Sequence, residues 1–381
     1  MKSSKKLIAS ILTCALALSV STGSAVFAAE TDTDITAPTT TVVQLHKFDA
    51  TQSLLSKIIT QSKVYAQNIK ELTSKYRIKK GGLYLTEGDF TYIIRLRLKT
   101  GFYAELISYS GNDTEITVPA FVNGKIPVER IYSFGSDLDE AYRYSVKTLN
   151  IPSTVKTLSG SDTFDLFGLE NINVSPENPY ITSVDGVVFS KDMSSLLALP
   201  SARTSYTIPD TVTSIYDFAC YASSLEKIDF PKNLVDIGDY AFFSSPKLTE
   251  IKLPQTTKYI GKEAFAHCVN LTKAVIPLDV EGIDAYTFSD TAKTFVILSA
   301  DTIKKGESLA VVAANPNLTD TQYAFYYKKS SNIIWTTIQR FDTASVAWIT
   351  PKSSGNYKIC VKFKDSDGVI SKQYIDIKVL P

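Results

Sequence analysis

Residues Thr204 to Pro277 read TSYTIPDTVTSIYDFACYASSLEKIDFPKNLVDIGDYAFFSSPKLTEIKLPQTTKYIGKEAFAHCVNLTKAVIP. An apolar residue followed by proline recurs at Ile208-Pro209, Phe230-Pro231, Leu253-Pro254 and Ile276-Pro277, with successive spacings of 22, 23 and 23 residues. A second series, Ile215, Ile237, Ile260 and Ile283, keeps the same step, and so does a third, Leu225, Leu248 and Leu271. Three slots holding phase over this length mark an array of repeats.

One unit shows why the copies must stack. Leu248, Ile251 and Leu253 nearly alternate with Thr249, Glu250 and Lys252, which suits a short strand with one buried face. Pro254 ends it, because proline has no N–H to give to a ladder. Ile260-Gly261 turns the chain and Ala264-Phe265 sends a second apolar pair inward. A single unit leaves this apolar side open and must lay it on the next, so the copies form a solenoid with parallel strands about 4.8 Å apart. On the exposed strand face Lys227, Glu250 and Lys273 fall in one column, while Asp229 and Lys252 begin a second. Alternating signs favour cross-rung pairing, at roughly 0.2–1 kcal/mol for each exposed pair. These five residues are also the candidate ligand-binding strip.

The pattern L-x-x-I-x-L-P…I-G-x-x-A-F-x-x-C-x-x-L, carried by LTEIKLPQTTKYIGKEAFAHCVNL at Leu248–Leu271, resembles the BspA-like leucine-rich repeats of bacterial surface proteins. Flanking copies depart from it, with Ala219-Cys220 in the first rung and Thr287-Phe288 in the last. The resemblance implies a ligand-binding or adhesive solenoid rather than an enzyme.

Outside the array the chain changes character several times. Residues 1–28 read as a secretory signal, with Lys2, Lys5 and Lys6 before an apolar run and a small-residue site near Val26-Phe27-Ala28. The run is short for a spanning helix, and Cys14 inside it lacks the setting of a lipidation site. Removing three lysines leaves 37 basic and 39 acidic residues, a net charge of −2, which argues against a nucleic-acid partner. Residues 29–48 read as a flexible leader and 49–80 as an N-terminal helix. Its apolar stripe suits packing on the solenoid, with oligomerisation as the alternative.

The solenoid is expected over 83–298. Gly124-Lys125-Ile126-Pro127-Val128 resembles the entry rung of the same family. The interval from Pro152 to Pro209 is 57 residues, more than two repeats. It holds Val187-Val188-Phe189 and Leu196-Leu197-Ala198 about a polar turn, a hairpin within an enlarged rung. Residues 299–381 lose the period and show strand-like runs at 309–313, 323–328, 333–338, 345–349, 357–364 and 373–379. They suit an antiparallel sandwich and resemble Ig-like triple-tyrosine modules, with Trp335 and Trp348 expected in the core or between sheets. The fold class is therefore mainly β: a repeat solenoid of short parallel strands, an N-terminal helix and a C-terminal β-sandwich.

The sequence offers little catalytic chemistry. His46 and His267 are its two histidines, and neither has a partner at metal-ligand spacing. Cys268 adjoins His267 but occupies the repeat's buried Cys slot, so packing is its expected role. Cys220 and Cys268 lie about two rungs apart, roughly 10 Å, beyond the ~7 Å reach of a disulfide. No cofactor is expected. The expected function is non-catalytic binding of a protein or surface glycan by a secreted or cell-surface protein, without nucleic acid or a stable membrane span. A structural or regulatory accessory of the bacterial envelope is the alternative, and a glycan hydrolase using an unrecognised carboxylate pair stands third.

Overall fold

Proline follows the first strand of successive rungs. In the computed structural model, which describes residues 78–79, 82–97, 101–134, 140–158, 165–281, 283, 286–314 and 321–381, four such strands each end two residues before the proline. They are Ser205–Thr207, Lys227–Asp229, Glu250–Lys252 and Lys273–Val275. The carbonyls of Pro209, Pro231 and Pro254 then accept the amides of Val212, Leu234 and Thr257 at 3.0, 3.1 and 3.1 Å, closing the same turn each time. The chain next forms a two-residue strand at Ser214–Ile215, Asp236–Ile237 and Tyr259–Ile260, paired in parallel with Ile215, Ile237 and Ile260 in one column. Two strand faces thus enclose the core that the three sequence series predict.

Leu225, Leu248, Leu271, Ile237 and Ile260 are all fully buried. Phe242, Phe265 and Phe288 stack through the centre, with centroids 5.1 and 5.5 Å apart and ring planes within 3° and 6° of parallel. Ile283 breaks the expected series, because it is exposed. The bridge that follows Tyr259 forms at Glu281, a step of 22 residues instead of 23, so the inward slot passes before Ile283.

Glycine after the isoleucine has a steric cause. Asp217 Oδ1 accepts the Asp239 amide at 2.9 Å, and Asp239 Oδ1 accepts the Lys262 amide at 2.7 Å, so a carboxylate of one rung sits over the next. A Cβ on Gly238 would lie 2.4 Å from Asp217 Oδ1, and one on Gly261 would lie 2.5 Å from Asp239 Oδ1.

The first-strand face is not one continuous ladder. Glu115–Thr117, Thr148–Ile151 and Asn171–Val174 form one parallel sheet, Ser205–Thr207 and Lys227–Asp229 a second, and Glu250–Lys252, Lys273–Val275 and Phe295–Leu298 belong to a third. The enlarged rung lies between the first two. It contains the expected hairpin, Val187–Ser190 against Ser195–Ala198, and a further antiparallel strand at Ile181–Val184. Ser195–Ala198 then joins the second face by pairing in parallel with Ser214–Ile215.

The tail continues the last rung. Phe295–Leu298 pairs antiparallel with Leu309–Ala314, which pairs with Val346–Ile349. The expected boundary at 298/299 therefore falls within one hydrogen-bonded sheet. A second sheet runs in the order Thr302–Lys304, Ile370–Leu380, Gly355–Lys364, Gln322–Lys329 and Thr336–Asp342. Val296, Leu298, Val311, Phe325, Val361 and Ile377 share one buried cluster between the two. Both tryptophans miss that cluster, contrary to expectation. Ala347 and Ile349 face inward, so the alternate residue Trp348 is 55% exposed. Trp335 precedes its strand and lies half-buried beside Tyr374. Ile333 and Ile334, expected within a strand, sit in an exposed loop before Thr336.

The chain divides into two compact units, one of 1–86 with 93–103 and one of 87–92 with 104–381. In the first, Ile78–Lys79 pairs antiparallel with residues 82–83, which corrects the helix expectation at its C-terminal end. The signal, the leader, His46 and the remaining helix residues lie outside the described residues. A short helix at Glu140–Ser145 was not foreseen. In the second unit Tyr92 is fully buried, and its hydroxyl has no hydrogen-bond partner among the described residues. Removing an unsatisfied buried hydroxyl relieves its desolvation cost, so Tyr92→Phe is expected to raise stability by about 1 kcal/mol in urea unfolding. A loss of stability would reveal a hydrogen-bond partner that Tyr92 needs.

Candidate functional site

The exposed strand face places the five candidate residues as the alternation requires. Lys227 and Asp229 flank buried Ile228, Glu250 and Lys252 flank buried Ile251, and Lys273 lies one rung on. Their pairing only partly follows the columns. Lys273 Nζ meets Glu250 across the rung at 3.1 Å. Lys227 meets Asp229 of its own strand at 3.1 Å. No ladder joins Lys227–Asp229 to Glu250–Lys252, so cross-rung geometry is lost there. Lys252 reaches Asp301 of the tail at 2.7 Å, a partner 49 positions away that the repeat register does not foresee. Burial acts to raise the Asp301 pKa, but the Lys252 ammonium overrides it and holds the carboxyl below its ordinary value.

One concavity opens where the tail meets this face, and a second lies wholly within the tail. Glu250 and Lys273, with Thr249 and Thr272, border a groove of about 260 Å³ whose other wall is Gln373, Tyr374, Ile375 and Asp376. A second, of about 560 Å³, is lined by Asp301, Thr302, Ser330, Asn356, Lys358, Asp376, Ile377 and Lys378. The larger falls in the size range of small-ligand sites, while the smaller falls below it. The tail wall was missing from the sequence-derived site, since nothing in a local pattern brings Asp376 beside Glu250.

The carboxylates here are neutralised. Glu250, Asp301 and Asp376 each hold a lysine, Lys273, Lys252 and Lys358, within 3.1 Å. A second polar column lies on the first sheet, where Asn173 Nδ2 donates to Asn150 Oδ1 at 3.0 Å and Asn150 Nδ2 donates to Glu115 Oε1 at 2.7 Å.

His267 and Cys268 point to different partners. His267 Nδ1 lies 3.2 Å from the Asp290 carboxylate, whereas the Cys268 thiol turns inward and donates to the Phe242 carbonyl at 3.3 Å. Burial pushes Cys268 up to about 12 and raises Cys220 further. Both are free and buried, as is Cys360. Native protein is therefore expected to leave Cys220 and Cys268 unlabelled by a thiol reagent at neutral pH, with labelling on denaturation. Rapid native labelling of either would contradict this packing. Among the described residues no three His, Cys, Asp or Glu gather as a metal site, and no helix is long and apolar enough to cross a membrane.

Residues 200–310 match the BspA type Leucine rich repeat region in six copies. No curated protein matches the chain. Among solved structures, a leucine-rich repeat protein from Eubacterium ventriosum is similar at 24% identity and a TM-score of 0.37, over 44% of this chain and 43% of that one. The chain thus spans less than half the length of that protein. The pneumococcal vaccine antigen PcpA is 18% identical with a TM-score of 0.32, over 56% of this chain and 86% of that one. The T. pallidum leucine-rich repeat protein is 20% identical with a TM-score of 0.27, over 50% and 71%.

Proposed function

We propose that this is a secreted or cell-surface, non-catalytic binding protein that recognises a protein or glycan on its exposed strand face, in the manner of an adhesin. The signal-like leader supports export. The Ig-like reading of residues 299–381 belongs to the same proposal, the tail acting as one wall of the binding face. The observation that carries the proposal is the placement of Glu250, Lys252 and Lys273 on short strands of the repeat array, with Glu250 and Lys273 bordering a groove walled by the tail and Lys252 paired with Asp301 of the tail. Such a face is ordered before binding, which reduces the entropy lost on association. The ion-paired state of Glu250, Asp301 and Asp376 supports recognition over hydrolysis.

The test is a screen of residues 29–381 against whole bacterial cells, extracellular-matrix proteins and a glycan array, with Lys252→Glu/Lys273→Glu in parallel. The expected result is saturable binding that weakens at least about tenfold in the double variant, with an unchanged melting temperature. Equal binding by both proteins would remove this face from the account. Absence of saturable binding would favour the envelope-accessory alternative.

A further inference from the structure

The outer face of the second tail sheet carries a concentration of cations that folding alone does not explain. Residues 299–381 hold 11 Lys and Arg against 7 Asp and Glu, whereas residues 29–298 hold 26 against 32. The inward residues of the long strands are apolar, among them Phe325, Ile359, Val361, Ile375 and Ile377. The alternate positions place Lys328 opposite Lys358 and Lys362 opposite Lys372 on neighbouring strands. Like charges directly opposite are destabilising, so these pairs oppose folding. Asp376 relieves Lys358 at 3.1 Å. Among the described residues Lys362, Lys364, Lys372 and Lys378 have no carboxylate partner.

Aromatic rings are interleaved with these cations. Lys328 lies 5.2 Å from the Trp335 ring centroid, Lys362 4.8 Å from that of Tyr326 and Lys364 5.8 Å from that of Phe341. Trp335 and Tyr374 stand 6.1 Å apart, and Tyr374 is 56% exposed. Rings of this kind give apolar area to the C–H face of a sugar, while the ammonium groups meet its acidic substituents. The cations are almost all lysines, with Arg340 the one arginine of the tail. Lysine is a point charge on a flexible stem, suited to dispersed carboxylate or sulfate groups. Arginine's planar fork would instead bring bidentate geometry to carboxylate, phosphate and base edges alike.

We propose that the outer face of the tail sheet, centred on Lys362, Lys372, Trp335 and Tyr374, binds an acidic polysaccharide. Several weak contacts along one chain then combine through high effective concentration. This site adjoins the strand-face strip of the solenoid, since Tyr374 also lines the groove beside Glu250 and Lys273, and its variants at Lys362, Lys372 and Trp335 are chosen away from that groove so that the two fail separately.

The experiment titrates residues 29–381 with polygalacturonate, chondroitin sulfate, uncharged dextran and oligothymidylate at about 50 and about 200 mM salt. The wild type is expected to bind an acidic polysaccharide, more weakly at the higher salt, and to ignore dextran. Lys362→Gln/Lys372→Gln is expected to lose about tenfold in affinity, and Trp335→Ala several-fold, with melting curves like the wild type. Lys252→Glu/Lys273→Glu is expected to retain this binding. Binding to neither acidic polysaccharide, equal binding by Lys362→Gln/Lys372→Gln, equal binding of dextran, or tighter binding of oligothymidylate would each overturn the proposal.

Discussion

Phe265→Ala is expected to lower the unfolding free energy by about 3–5 kcal/mol, measured by urea unfolding followed by circular dichroism. The ring is fully buried and stacked on both sides, 5.1 Å from Phe242 and 5.5 Å from Phe288. Its removal therefore takes contacts from three consecutive rungs. Each rung's backbone is fixed by parallel pairing to its neighbours, so the cavity has little room to collapse. In a solenoid the interface between repeats supplies much of the stability, and this ring belongs to two such interfaces. A change below about 1 kcal/mol would mean that the aromatic column is not a supporting element.

Gly261→Ala is expected to cost about 2–4 kcal/mol by the same measurement. The added Cβ would lie 2.5 Å from Asp239 Oδ1 and 2.6 Å from both Asp239 N and Gly238 C. Two of these three atoms are backbone, so a side-chain shift alone does not make room. Displacing the carboxylate also breaks its bond to the Lys262 amide. The cause is steric and not conformational, because Gly261 is absent from the positive-φ residues. Asp239→Ala placed on the same chain removes the carboxylate clash but leaves the backbone one. The double variant is thus expected to recover only part of the loss. Full tolerance of Gly261→Ala would show that the rungs slide apart more readily than their packing implies.

The repeat was legible because its slots are local and periodic. Proline follows the first strand of four successive rungs at a fixed offset, and Leu225, Leu248 and Leu271 each fill the same inward position. What escaped the sequence is what periodicity cannot encode. The missing ladder between Lys227–Asp229 and Glu250–Lys252 depends on how two chemically similar strands approach. The Lys252–Asp301 pair and the tail wall of the grooves depend on the chain's return after the array ends. Residues 299–381 have strand character but no period, so their union with Phe295–Leu298 left no trace in the spacing. Trp348 was misplaced by size, since tryptophan suggested a core. The alternation of Val346, Ala347, Trp348 and Ile349 gave the inward side to the smaller pair. The charged strip was legible as a face, and its partners were not.

The strand-face proposal rests on rungs and tail forming one ordered body. Both tryptophans, Trp335 and Trp348, lie in the tail, so fluorescence reports on the tail while circular dichroism reports on the whole chain. The most direct measurement is urea unfolding of Phe265→Ala by both signals. The expected result is a fluorescence midpoint displaced to lower urea together with the circular dichroism midpoint, as a single cooperative unit requires. A fluorescence transition that stays at the wild-type midpoint, while circular dichroism shifts, would mean that the tail folds independently of the rungs. It would contradict a binding face built jointly from the two.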